Sequence, residues 1–544
     1  MGRTALGSLC VALGLAASPP GAVAPGPDLG HFDYVVVGAG AAGSVLAHRL
    51  TEDPGTNVLV LEAGGPDDDP RIRRPSAFRQ LLETPFNHGY STAAELHLNG
   101  REIQWPRGEG WGGSGSISAM VYVRGHASDF DRWEALGNPG WGYDDVLPYF
   151  KKAEDQERGP SEFHGVGGPQ SVADPRFVPP ISRAFLEAAL QVGLPRNDDF
   201  NGARQEGAGL YQVNQRDGAR DSAADAYLRP ALRRPNLAIE SHARVTRVLF
   251  EGRRAVGVAY VQDGRDLEVR AAREVILSAG SIGSAQLLLL SGIGPAEQIT
   301  ALGIPVVRDL PGVGENLQDH PRVALTYASK SPLGLTDAER ERAEREYAEH
   351  RTGPLSSNGV GAGAFVRLSP DDPSPGLQTM LTANPVDNTF SINVVLMHPA
   401  SRGHLRLRSA DPTAPPILQA NYLGDDRDLE GLVRGLEIAR RIAGAEALAE
   451  YRGEELGPGA ASWERAALRR YVRDHVTTFF HQVGTCRMGE DERAVVDPAL
   501  RVRGVEGLRV VDASVMPDLL SGATHAATVM IAEKGADLVK ADVR

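Results

Sequence analysis

Residues Tyr34 to Gly43 read Y-V-V-V-G-A-G-A-A-G, and Glu62 stands roughly twenty positions beyond the last glycine. No other feature constrains the fold as tightly. Val35, Val36 and Val37 form an apolar run suited to a buried parallel strand, and Ala41 to Leu50 continues as a helix. Between them Gly38, Gly40 and Gly43 fill the G-x-G-x-x-G spacing. Gly38 permits a tight turn, Gly40 lets backbone approach a pyrophosphate, and Gly43 allows helix and strand to pack closely. Free N–H groups at the helix start suit phosphate. A second apolar run, Val58 to Leu61, ends in Glu62, where a carboxylate accepts hydrogen bonds from an adenosine ribose. Strand, helix, second strand and acid in register predict dinucleotide binding, without separating NAD from FAD.

The chain of 544 residues is long enough for two or three domains, and 42% hydrophobic with 23% charged residues is a globular composition. A net charge of −13 argues against a general nucleic-acid binder. No run has the length and apolarity of a membrane-spanning helix. Cys10 and Cys486 are the only cysteines, which excludes a disulfide framework or a cysteine-rich zinc site. His475 and His481 lie in an apolar, aromatic stretch that favours packing over a metal pair, and no metal site is expected. Ala5 to Ala17 is apolar behind Arg3, and Ala22-Val23-Ala24 fits a cleavage site. A single positive charge and Pro25 after the cut speak against export, so residues 1–30 read as a leader whose role, and with it the localisation, stays open.

Beyond Glu62 the pattern changes several times. Trp105 to Met120 is a glycine-rich loop suited to lie against something flat or charged. Leu237 to Gly280 alternates as short strands with a hairpin turn at Asp263-Gly264, and Val275 to Leu277 is a buried strand. Thr336 and Glu339 form a capping box for a charged, solvated helix that stops at Gly353-Pro354. Asp428 to Ala443 and Trp463 to Val476 are amphipathic helices. Leu508 to Asp512 is a further buried strand, and Thr524 to Val539 is the last helix. Buried strands at both ends of the chain predict one α/β sheet collected from both, with a different region inserted between.

Two histidines carry the chemistry. His481 lies in T-F-F-H-Q-V-G-T-C-R-M-G, whose apolar flanks keep it from bulk water, and His525 opens the final helix, where the positive end of the dipole disfavours the imidazolium. Asp512 ends a strand just before that helix. In a flavin site such a strand end and helix start could face the isoalloxazine ring, helix N–H groups stabilising charge near N1 and C2=O.

With these residues in place, the chain resembles the glucose–methanol–choline (GMC) family of flavin oxidoreductases from about residue 31 to residue 540. The segments that carry the resemblance are V-V-V-G-A-G-A-A-G with L-E-A-G-G at 61–65, P-R-G…G-G-S at 106–114, S-A-G-S-I-G-S-A-Q-L-L-L-L-S-G-I-G at 278–294, G-V-G-E-N-L-Q-D-H at 312–320, H-Q-V-G-T-C-R-M-G at 481–489 and V-D-A-S-V-M-P at 511–517. The resemblance implies FAD, an alcohol substrate, hydride transfer from the carbinol carbon to flavin N5, and an electron acceptor that is oxygen, a quinone or another compound. It implies a Rossmann-like FAD-binding domain interleaved with a substrate-binding domain built on an antiparallel sheet with helices. The FAD domain is expected at 31–150, 221–325 and 473–544, the substrate domain at 326–472, with 151–220 as a substrate-domain segment and connections.

His481 matches the family's general base and His525 its second polar position, which orients or polarises the substrate oxygen. Gly38, Gly40, Gly43 and Glu62 carry over as contacts to ADP, Val245 as a backbone contact to adenine, and Asp512 and Ala513 as contacts near the flavin and ribitol. Ala41, Ala42, Ala63, Gly113, Ser114, Ser118, Val121 and Ala526 complete the implied cofactor contacts. Members with covalently bound FAD use a histidine in the loop around Ser114 to Ser118. None occurs here, so noncovalent FAD is expected. Ser118 stands where Asn is common, Glu109 where a basic residue is common, and Ala285 and Ala527 where prolines are frequent. The family also contains hydroxynitrile lyases that keep FAD for non-redox acid–base cleavage, and that alternative stays open, as does flavin binding without catalysis. A serine hydrolase gains little support, because Ser114 and Ser116 lack the G-x-S-x-G elbow. The substrate's identity rests on the inserted region and the loop around Leu355 to Gly363.

Overall fold

Parallel strands need a crossover between them, and this chain makes some of its crossovers very long. The computed structural model describes residues 31–461 and 463–542, so the leader reading of residues 1–30 lies outside the described residues. In the first sheet Phe32–Val37 lies in parallel between Val58–Leu61 and the end of Arg265–Leu277. Leu237–Glu240 extends the sheet beyond Val58–Leu61, and Leu508–Val510 adds to the far side of Arg265–Leu277. Strands from three distant parts of the chain thus meet in one α/β sheet. Val35, Val36, Leu59, Val60, Ile276 and Val510 are fully buried, as strands covered on both faces must be.

Arg265–Leu277 has two roles. Its first half pairs antiparallel with Arg254–Gln262, which pairs in turn with Arg244–Glu251. The turn between them is the expected Asp263-Gly264, with φ of 52° and 71°, both in the left-handed region that a two-residue hairpin needs. The second half passes into the parallel sheet and ends at Leu277.

The second sheet is antiparallel, in the order Arg452–Gly457, Pro321–Ser329, Thr389–Leu396, Leu377–Asn384, Ala362–Val366, Gly207–Leu210, with Thr477–Thr478 against the start of Pro321–Ser329. Its strands come from 207 to 478, so Pro321–Ser329 crosses the expected division at 325/326 and Thr477–Thr478 lies beyond the one at 472/473. The helix Asp426–Gly444 covers one face. A Cβ on Gly435 would come within 2.1 Å of Val394 Cγ1, and one on Gly431 within 2.9 Å of Leu396 Cδ1. Side chains alternate along a strand, so Ser391 and Asn393 point to the opposite face.

The predicted helices form close to their expected bounds. Thr336 and Glu339 make the capping box at the start of Asp337–His350, Arg465–His475 falls within the predicted 463–476, and the last helix runs Thr524–Ala541. The first helix, Ala41–Leu50, is tied to the last by Arg49, whose Nε and Nη2 reach the two carboxylate oxygens of the buried Glu533 at 2.8 Å. Tyr227 donates to the same carboxylate at 2.9 Å. A buried acid without such partners would be costly.

Candidate active site

The C-terminal edge of the parallel sheet is where connections diverge and a crevice opens. Gly38, Glu62, Ser278 and Asp512 follow or closely follow the strand ends there, and all four line one cavity of about 680 Å³. The glycines permit this closeness. A Cβ on Gly38, whose φ is 100°, would stand 2.6 Å from the Ser278 carbonyl oxygen, and one on Gly43 would stand 1.8 Å from the Gly38 carbonyl oxygen. Gly40 caps the first helix with no side-chain hydrogen bond, which leaves the first N–H groups of that helix available.

Glu62 is 7% exposed and its carboxylate is engaged by three backbone amides: Ala39 on Oε2 at 2.7 Å, Gly64 and Gly110 on Oε1 at 2.9 and 3.0 Å. The sequence suggests a free ribose acceptor. Folded, the side chain also ties the first turn to the loop at 108–118 and keeps unused acceptor capacity on Oε2. That loop bridges the two halves of the cavity, with Gly113 against Gly40 and Gly115 against the ring of His525, where a Cβ would lie 3.1 Å from Cε1. Ala41, Ala42, Ala63, Ser114, Ser118, Val121, Val245 and Ala513 also line the cavity. Gly43 and Ala526 do not: Gly43 serves helix–strand packing, and Ala526 is 3% exposed in the last helix. Asp512 turns its carboxylate to the Gly280 and Ser514 amides at 2.9 and 2.8 Å and the Ser284 hydroxyl at 2.5 Å.

His481 and His525 both line the cavity. His481 sits in a strained loop whose preceding residue, Phe480, has φ of 67°. Such backbone persists only when its surroundings over-determine it. Here Asp319 does so: its carboxylate accepts from the His481 amide at 2.7 Å, the Thr478 hydroxyl at 2.6 Å, Gln482 Nε2 at 3.2 Å and the Tyr422 hydroxyl. Arg107 Nη1 holds the Phe480 carbonyl at 2.9 Å. Burial raises the Asp319 pKa to about 6, and those hydrogen bonds and Arg107 oppose it.

The imidazole of His481 is oriented by a second histidine. Nδ1 of His320 lies 2.8 Å from Nδ1 of His481, and Nε2 of His320 faces the carbonyl oxygens of Met397 and Leu520 at 3.0 and 2.9 Å. Carbonyl oxygens only accept, so Nε2 of His320 carries a proton. Burial, with the neighbouring His481, holds the His320 pKa well below its ordinary value, so its Nδ1 is bare and accepts. The proton between the rings therefore belongs to His481 Nδ1, and the other nitrogen of His481, Nε2, is left unprotonated. Burial, reinforced by the Arg107 guanidinium, lowers the His481 pKa to about 3. His525, in the first turn of the last helix, is lowered to about 4, by burial first and then by Arg220. Both rings are neutral at pH 7.

The sequence by itself points to no role for Asp319, His320, Arg107 or Arg220. Asp319 and His320 end the segment G-V-G-E-N-L-Q-D-H and Arg107 lies in P-R-G, so the signal was present without a partner to interpret it. Arg220, 1% exposed, donates to the carbonyls of Ile72 and Gly115 at 2.8 and 2.9 Å from behind the glycine loop. His475 stays apart, stacked on Tyr471 with ring centroids 4.1 Å away.

The GMC oxidoreductase family models match residues 32–322 and 399–532. Over 533 residues the chain is 44% identical to the mitochondrial choline dehydrogenase of Homo sapiens, covering 94% of this chain and 90% of that protein. It is 42% identical to an alcohol dehydrogenase (acceptor) of Pseudomonas putida, covering 93% of this chain and 95% of that protein. Among solved structures, pyridoxine 4-oxidase from Mesorbium loti superposes with a TM-score of 0.86 at 36% identity, covering 93% of this chain and 99% of that one.

Proposed function

The protein belongs to the GMC oxidoreductase family, and from that membership we propose that it oxidises the CH–OH group of an alcohol to an aldehyde or ketone with FAD. The observation that carries this reading is the unprotonated Nε2 of His481, held by His320 and presented by a residue of the cavity wall.

The family implies FAD, and the residues here suit it. A glycine-lined helix start with free N–H groups accepts a pyrophosphate, Glu62 retains acceptor capacity for a ribose, and Val245 lines the same cavity. We assign the FAD domain and the inserted substrate domain to the two sheets. When bound, FAD supplies the two-electron acceptor that takes hydride from the carbinol carbon. No histidine lies at 106–118, which supports noncovalent attachment.

The protein's own residues handle the proton. An alcohol is far too weak an acid to ionise at pH 7, and a positioned base contributes on the order of 10²- to 10⁴-fold. His481 Nε2 takes the hydroxyl proton as the carbinol carbon is oxidised. The resulting imidazolium keeps both protons, because His320 Nδ1 accepts from Nδ1 and carries the new charge no further. His525 orients the substrate oxygen. Asp319 and Arg107 hold the His481 loop so that the base does not have to find its place at the moment of reaction.

Anaerobic addition of alcohols to the holoenzyme tests this reading. Bleaching of the oxidised flavin absorbance is expected with at least one alcohol. Turnover of a cyanohydrin with no bleaching by any alcohol would replace oxidation by lyase chemistry.

A further inference from the structure

The antiparallel sheet turns a polar face to the cavity, and its cation lacks an acidic partner. Arg322, Gln378, Thr382, Ser391 and Asn393 line the cavity from three adjacent strands. Arg322 donates through Nη1 to Asn393 Oδ1 at 2.9 Å. Asn393 is held in that orientation by its own amide, which donates to Thr382 Oγ1 at 2.9 Å and the Met380 carbonyl at 3.2 Å. Nε of Arg322 is buried with no hydrogen-bond partner. Nη2 makes no hydrogen bond within the protein and, unlike Nε, is not closed off, so it is the donor of this guanidinium left for an anion in the cavity.

The surroundings sharpen the charge. Burial and the nearby Arg79, with only Asp319 opposing, lower the Arg322 pKa to about 10, so it remains a cation at pH 7. Arg79 lines the same cavity from a more open position, and no acid offsets the burial that lowers its own pKa. Among the described residues, the acids that line the cavity are Glu62 and Asp512, and both are committed to backbone amides. The other lining arginines have partners: Arg244 pairs with Glu109, and Arg107 with the Phe480 carbonyl and Gln482. Asp319 is spent on the His481 loop.

We propose that the substrate is an alcohol that carries a carboxylate, bound by Nη2 of Arg322 with Arg79 at the more open side. The inference rests on the oxidoreductase reading above and specifies its substrate class. A quaternary ammonium alcohol such as choline, named for the human relative, would instead meet two guanidinium groups with no carboxylate to receive it. The same repulsion makes the site selective rather than merely permissive.

Two measurements on the holoenzyme decide it. The first compares kcat/KM, with an artificial electron acceptor, for para-(hydroxymethyl)benzoate, its methyl ester and the corresponding para-trimethylammonium alcohol. The carboxylate is expected to exceed both by at least tenfold, and Arg322→Met should reduce its advantage over the ester by a similar factor. A substrate order led by the ammonium alcohol, or an order that Arg322→Met leaves unmoved, overturns the proposal. The second measures benzoate binding by calorimetry and by the flavin absorbance, and needs no turnover. Saturable binding is expected, weakened at least tenfold in Arg322→Met. Absence of benzoate binding to the unmodified holoenzyme overturns the anion site even if that variant does not fold. If no alcohol bleaches the flavin while benzoate still binds through Arg322, the oxidation reading falls and the anion site stands.

Discussion

Nδ1 of His320 and Nδ1 of His481 share one proton across 2.8 Å, and the two carbonyls behind His320 decide which ring owns it. The relationship resembles a carboxylate orienting a catalytic histidine, with a neutral imidazole in the carboxylate's place. A carboxylate there would stabilise the imidazolium strongly. A neutral ring orients the base without adding a negative charge and leaves its basicity low, in keeping with the lowered pKa of His481.

Removing the proposed base should leave the cavity around it intact. For His481→Ala we expect FAD to remain bound while flavin reduction by substrate slows at least about 100-fold. Stopped-flow absorbance under anaerobic conditions measures it, and near-normal reduction would exclude His481 as the base.

In the proposed reaction His320 acts through its 2.8 Å contact with His481. His320→Leu removes the acceptor for Nδ1–H, so kcat should fall on the order of 100-fold with KM changed much less. His320→Gln places a carbonyl oxygen within reach of that proton and should recover part of the loss. Equal losses in both variants would mean that His320 only fills space.

The lowered pKa of His525 has a consequence for stability. Its folded value of about 4 lies below the ~6.5 of an unfolded histidine. The unfolded chain therefore binds more protons in this window, so the contribution of His525 is fully present above about pH 6.5 and is lost as pH falls toward 4. Buried acids with raised pKa, such as Asp319 at about 6, act in the opposite sense. The comparison of wild type with His525→Asn isolates the histidine: the drop in Tm between pH 7 and pH 5 should be smaller in the variant. An equal or larger drop would contradict a buried neutral imidazole.

Gly43 is a packing residue, so its substitution should damage the fold before it damages contacts to a ligand. A Cβ there would stand 1.8 Å from the Gly38 carbonyl oxygen, forcing the first helix away from the strand. Gly43→Ala should cost about 1–3 kcal/mol or more, read as a lower denaturant midpoint and as loss of FAD on gel filtration. Gly444→Ala, at a position with open space around its Cβ and no left-handed backbone, controls for general effects of glycine replacement.

Noncovalent attachment is tested by acid precipitation. Free FAD should appear in the supernatant, and a yellow pellet would place a covalent link somewhere outside residues 106–118.

Local pattern alone determined the strand–glycine–helix unit at 32–50, the acid after the second strand, the Asp263-Gly264 hairpin and the capped helix after Thr336. Each is decided within a few residues by dihedral preference, hydrophobic period or capping, so each is legible without the rest of the chain. The two histidines of the cavity wall also stand out in the sequence, as apolar-flanked residues in recognisable segments. What stayed hidden depends on residues far apart in sequence. His320 and His481 acquire a tautomer only when Met397 and Leu520 supply carbonyls behind them. Glu62 becomes a structural tie as well as an acceptor only when Ala39 and Gly110 approach it. Arg322, one charge among many in the sequence, becomes distinctive because the fold sets it beside Asn393 in the cavity wall with no carboxylate to pair with it. Hydrogen-bond ownership and desolvation depend on every group around an atom, and only the tertiary structure brings those groups together.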